Sequence, residues 1–127
     1  SNMRLNQQDN IDSALEYIRK TVNNEKIEVN LLHGMNPSRI SETDCEAYSK
    51  VASAVASTWK GTIVSPYLMV QCSDSRHYGR ISDRVYRFSA MDLTSEERAT
   101  IHGNNEKIRV STALKAVEFY IRLMKLC

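Results

Sequence analysis

The sequence predicts an α/β fold: a partial sheet with flanking helices, preceded by a strand–helix–strand unit. Three observations predict it. Ile11, Ala14, Leu15, Ile18 and Val22 recur on one face of a helix and are followed by IEVNLL, which alternates apolar and polar residues. TIVSPYLMV is a nearly continuous apolar run between two helical patterns, as expected of a strand covered on both faces. The polar stretches SDSRHYG and IHGNNE then sit in the loops of a helix–strand–loop–strand–loop–helix pattern, where open α/β sheets gather functional residues beyond their strand ends.

Taken in order, Met3-Arg4-Leu5 is a candidate short strand and residues 10–22 a helix. Asn23-Asn24-Glu25 is a turn, and Ile27, Val29 and Leu31 form the inward face of a strand over 27–32. HGMNPSRI, with Gly34 and Pro37 and no periodicity, reads as a linker. Ser41-x-x-Asp44 has the spacing of a capping box for a helix whose apolar face is Cys45, Tyr48, Val51, Ala52, Val55, Ala56 and Trp59. The buried strand follows Gly61 and ends in QCSDSRHYG, and a short strand is expected around Val85-Tyr86-Arg87-Phe88. Thr94-x-x-Glu97 is a second capping box. Val110, Leu114, Val117, Ile121 and Met124 mark the last helix.

A chain of 127 residues suffices for one ordinary domain. With 42% apolar and 25% charged residues it is expected to be a soluble globular protein. The net charge of +2 is spread over interleaved acids and bases with no basic cluster, which argues against a nucleic-acid partner. No apolar run approaches the roughly 20 residues that span a bilayer, and no signal-peptide pattern opens the sequence, so no membrane partner is expected. Cys45, Cys72 and Cys127 are odd in number and widely spaced. They are expected as reduced thiols in a cytoplasmic setting. Ser1-Asn2 ahead of Met3 reads as a cloning remnant.

His102 is a lone imidazole in a polar loop. It is either a hydrogen-bonded surface histidine or a metal ligand whose ring Glu106 or a backbone carbonyl orients. Asp74-Ser75-Arg76-His77 is either a surface ion pair or a place where the Arg76 fork holds a carboxylate or phosphate. Cys45, Cys72, His77 and His102 lack zinc-finger spacing, and no G-x-S-x-G elbow supports a nucleophilic serine. Glu96-Glu97 lies where a helix start calls for acidic capping residues, and is read as a cap.

PYLMVQCSDSRHYGRISDRVYRFSAMDLTSEERATIHGNNEKI, residues 66–108, resembles the carboxyl-terminal part of the M20 family of metallopeptidases. The branch is the one with carboxypeptidase S-like enzymes and N-acyl-amino-acid hydrolases. In that family a buried strand ends in a Gly-Gly-Thr-Asp-Ser-Arg-type turn, followed by a Val-Tyr-Arg-Phe strand, an Ile-His-Gly-x-Asn-Glu loop and a terminal helix. The similarity extends back through PSRIS and into IEVNLL, IDSALEYIRKTV and the opening Asn2-Met3-Arg4-Leu5, which resemble the end of the family's lid domain.

The resemblance implies that residues 1–36 end an α+β lid, or dimerisation, domain as a β-α-β remnant. Residues 37–127 would then be the carboxyl-terminal part of the α/β catalytic domain. It implies that His102 is one ligand of a two-zinc site and that Arg76, with Asp74 and Ser75, grips the substrate's terminal carboxylate. The remaining ligands and the general base belong to the family's amino-terminal segment. No His-x-Asp occurs here, since Met35, Gly79 and Asn104 stand two places after His33, His77 and His102. Gln71-Cys72-Ser73 replaces the family's two glycines and threonine in the turn that carries Arg76. The expected function is therefore that of a carboxyl-terminal fragment of a peptidase or N-acyl-amino-acid hydrolase, inactive alone and homo-oligomeric. The alternative is a non-catalytic, self-associating α/β module.

Overall fold

The structure, a computed structural model, describes residues 2–71 and 73–127. Ser1, read as part of a cloning remnant, and Cys72, expected as a thiol within the altered turn, lie outside the described residues. Among the described residues there are five helices and no strand: α1 (Ile11–Val22), α2 (Glu46–Thr58), α3 (Ser75–Tyr78), α4 (Ser95–Ala99) and α5 (Val110–Met124). The expected partial sheet and β-α-β remnant are therefore absent from them. The physical reason is that a strand exists only when its N–H and C=O groups exchange hydrogen bonds with a neighbouring strand. Alternating or continuous apolar residues at 3–5, 27–32, 62–70 and 85–88 encode faces to be covered; they do not supply the partner.

The chain divides into two compact units, one formed by residues 1–41 with 67–85, the other by residues 42–66 with 86–127. In the first, α1 forms for the reasons legible in its sequence. Ile11, Ala14, Leu15 and Ile18 are half-buried on one face, while the opposite face is exposed. Asn10 caps the helix: its side chain accepts from the Ser13 N–H at 2.9 Å, and Ser13 Oγ accepts from the Asn10 N–H at 3.0 Å. Such a cap contributes about 0.5–2 kcal/mol. The helix ends on Asn23, which adopts the left-handed conformation at φ 41° and sends its N–H back to the Arg19 carbonyl. The segment that follows returns along the helix. Arg19 Nη2 donates to the Val29 carbonyl at 3.3 Å, and the Ile11 N–H donates to Asn36 Oδ1 at 3.0 Å. Gly34 permits this closure, because a Cβ there would lie 2.9 Å from Ile11 Cδ1. Arg39 pairs with Asp83 at 2.7 Å, and the Ser41 hydroxyl bridges the N–H and C=O of Val85 at 3.0 Å each.

The Ser41 contact corrects the expected cap of α2. That helix starts at Glu46 with Cys45 as its N-cap residue and no side-chain cap, since the Ser41 hydroxyl is engaged with Val85. In the second unit Ala54, Val55, Ala90 and Phe119 form the buried core, with Val51, Trp59, Val64, Ala116 and Leu123 packed against it. Phe119 is 1% exposed and meets Phe88 and Trp59 at ring distances of 5.0 and 5.8 Å. Burying such a ring contributes about 1.5–3 kcal/mol. The carbonyls at the end of α2 are taken up by cations of α5. Lys115 Nζ donates to the Thr58 carbonyl at 3.2 Å and Arg122 to that of Ser57. These bonds satisfy orphan acceptors and complement the negative end of the helix. No described helix is long and apolar enough to cross a membrane.

Candidate functional site

The first unit presents Asp74, Ser75 and Arg76, which sequence reading placed in a polar turn; the structure winds them into α3 and its start. The turn is held by the Arg76 N–H to the Ser73 carbonyl at 3.1 Å and the His77 N–H to the Asp74 carbonyl at 3.0 Å. The Ser73 and Ser75 hydroxyls lie 2.5 Å apart. Arg76 is exposed and its Nε donates to His77 Nε2 at 3.3 Å. A guanidinium presented this way has the planar donor set that suits a carboxylate or phosphate.

The second unit presents His102 in a loop whose shape is fixed by three successive ties. At its base is Glu97, buried at 7% exposure. Glu97 Oε2 accepts from the Thr94 N–H at 2.8 Å, and Thr94 Oγ1 accepts from the Glu97 N–H at 3.2 Å, the capping box read from the sequence. The other oxygen, Oε1, accepts from the Arg109 N–H at 2.9 Å and from Arg109 Nε at 3.0 Å. Next, Thr100 Oγ1 accepts from the Lys107 N–H at 3.4 Å while donating to the Glu97 carbonyl at 2.7 Å. Nearest the tip, the His102 N–H donates to Glu106 Oε2 at 3.1 Å. Glu106 thus engages the backbone of His102, where the metal-ligand reading had it orient the ring. His102 itself is exposed and left-handed, at φ 64°, a conformation uncommon outside glycine, asparagine, aspartate and histidine.

Electrostatics at the base of this loop favour the carboxylate. The backbone hydrogen bond from Thr94, then the bonds and charge of Arg109, hold Glu97 down at about 2 against the opposing effect of burial. Arg109 also reaches the Asp92 carbonyl, and Asp92 Oδ1 accepts from the fully buried Thr112 hydroxyl at 2.9 Å. Sequence reading found the Thr94–Glu97 spacing but missed Asp92, Arg109 and Thr112. Their pairing spans 12 to 20 residues and leaves no periodic signal.

Among the described residues no three His, Cys, Asp or Glu side chains gather where a metal ion could be held. The one candidate ligand, His102, belongs to no such group among the described residues, so these residues do not by themselves fit a two-zinc centre. Arg76 belongs to the first unit and His102 to the second. Neither Cys45 nor Cys127 forms a disulfide, and Cys45 Sγ lies 3.1 Å from the Tyr86 hydroxyl.

No family model and no solved structure matches the chain. Curated relatives do. An N-fatty-acyl-amino acid synthase/hydrolase from Xenopus tropicalis is 30% identical over 125 residues, 98% of this chain and 24% of the relative. A probable carboxypeptidase S-like protein from Dictyostelium discoideum is 22% identical over the same shares. An uncharacterized carboxypeptidase from Schizosaccharomyces pombe is 32% identical over 91 residues, 68% of this chain and 15% of the relative. The chain spans about a quarter of the length of the first two of these relatives.

Proposed function

The chain belongs to the M20 family of metallopeptidases, and from that premise we propose that it is the carboxyl-terminal part of a zinc-dependent hydrolase. Its bond would be the amide of a peptide or an N-acyl amino acid, next to a free carboxylate. The observation that carries the reading is that a relative named as a probable carboxypeptidase S-like protein and one named as an N-fatty-acyl-amino acid synthase/hydrolase each match 98% of the chain. In this reading residues 1–36 end the lid and residues 37–127 belong to the catalytic domain.

Arg76, with Asp74 and Ser75, holds the substrate's carboxylate through its planar fork. His102 contributes one imidazole to the metal site of the complete protein, where the metal would polarise the scissile carbonyl. What this chain's own residues do is narrower: they bind an anion and present a ring at the tip of a tied loop. With one ligand and no general base, the isolated chain does not turn over substrate. It self-associates through apolar side chains left exposed.

Two experiments test this. Replacing the matching segment of the Xenopus tropicalis relative with this chain gives an active hybrid hydrolase. In it, Arg76→Ala raises KM for carboxylate-bearing substrates about tenfold or more, and His102→Ala abolishes turnover. A folded hybrid in which both variants behave as the parent would overturn the assignment. The isolated chain, titrated calorimetrically with zinc and assayed on dipeptides and N-acyl amino acids, shows neither tight binding nor turnover. Zinc-dependent turnover lost in His102→Ala would mean that the chain carries a complete site.

A further inference from the structure

Glu97 does more than cap a helix of five residues. A cap needs one carboxylate oxygen on the Thr94 N–H, and Oε2 provides it at 2.8 Å. The second oxygen is spent on Arg109, at 2.9 Å to its N–H and 3.0 Å to its Nε. Glu97 and Arg109 flank the loop that carries His102, so this contact closes the loop at its base. Arg109 is anchored in turn on the Asp92 carbonyl, and Asp92 on the buried Thr112 in the first turn of α5. Above the base the loop narrows through Thr100–Lys107 to His102–Glu106. The tip holds a non-glycine residue at φ 64°, a backbone state that persists only where surrounding contacts over-determine it.

We infer that Glu97 and Arg109 are positioning residues: a buried clamp that sets the backbone of the loop and so the place of the His102 imidazole. The inference rests on the proposed function only for what His102 does once in place; the clamp is tested apart from it. If Glu97 served α4 alone, loss of Arg109's side chain would leave the loop unchanged. If it is a clamp, that loss frees the loop while α4 keeps its cap.

The test is amide hydrogen exchange by NMR on the full chain, read together with the backbone couplings that report a left-handed φ at His102. Arg109→Met is expected to speed exchange at His102 and Lys107 about tenfold or more, as loss of a charge-assisted hydrogen bond would. The left-handed signature at His102 should disappear, with the amides around Phe119 in α5 unchanged. Glu97→Gln should reproduce the effect, and Arg109→Lys should restore part of the protection. His102→Ala should leave Lys107 protected, because the clamp acts on the backbone. A loop equally protected in Arg109→Met would overturn the clamp while leaving the role of His102 untouched. Exchange raised equally at Phe119 would also overturn it, by showing that the pair supports the whole unit and does not position one loop.

Discussion

At the scale of single residues, Glu97 shows how a side chain can be buried and remain charged. Its two oxygens meet the N–H groups of Thr94 and Arg109 and the Arg109 guanidinium, so removal from water is offset by directed donors. The pH consequence follows from the sign of the shift. A carboxyl lowered from 4.5 to about 2 contributes stability that is complete above the ordinary carboxylate range and lost as pH falls from there through 2. Amide exchange followed by NMR during acid titration should therefore rise at His102 and Lys107, relative to the amides around Phe119, between about pH 4.5 and 2. Glu97→Gln, which cannot ionise, should flatten the dependence across that window and leave the loop fast-exchanging at neutral pH as well. An unchanged acid profile would mean that another carboxylate governs it.

At the scale of elements, α5 shows what was legible in the sequence and what was not. Its helix, that of α1 and the Thr94–Glu97 start of α4 follow from local signals that the structure realises. The periodic stripe Val110, Leu114, Val117, Ile121 and Met124 predicted the helix correctly. It is not the packed face, however. Those residues are 45–76% exposed, while Thr112, Ala116, Phe119 and Leu123 meet the core. Two apolar faces compete on such a helix, and periodicity alone does not say which neighbour covers either. The missing strands fail for a related reason, since pairing partners are non-local. The candidate loops were found by their polar composition, but the Arg109–Asp92–Thr112 support was not. Phe119 carries the joint between α2 and α5, so Phe119→Ala should cost about 3–5 kcal/mol. Both helices should melt together in a thermal scan followed by far-ultraviolet circular dichroism. A loss below about 1 kcal/mol would mean that the core closes around the gap.

At the scale of the whole molecule, the exposed stripe of α5 bears on the proposed self-association. Leu114 and Ile121 alternate with Val110, Val117 and Met124 at spacings of four and three, the 3.5-residue repeat of a helix seam that packs on another helix. Two heptads are too short for an isolated coiled coil to be stable, but this helix is already held on its other face by Phe119 and the end of α2. Preorganisation of that kind lowers the ordering cost of association. The chain is therefore expected to dimerise reversibly through α5, with a scattering mass that rises with concentration. Leu114→Lys together with Ile121→Lys should return it to a monomer without loss of helix content, since both side chains are exposed and leave the core intact. A dimer that survives this double change would move the contact to residues 1–36, which by the resemblance end a dimerisation domain. A monomer at every concentration would remove the homo-oligomer from the proposed function.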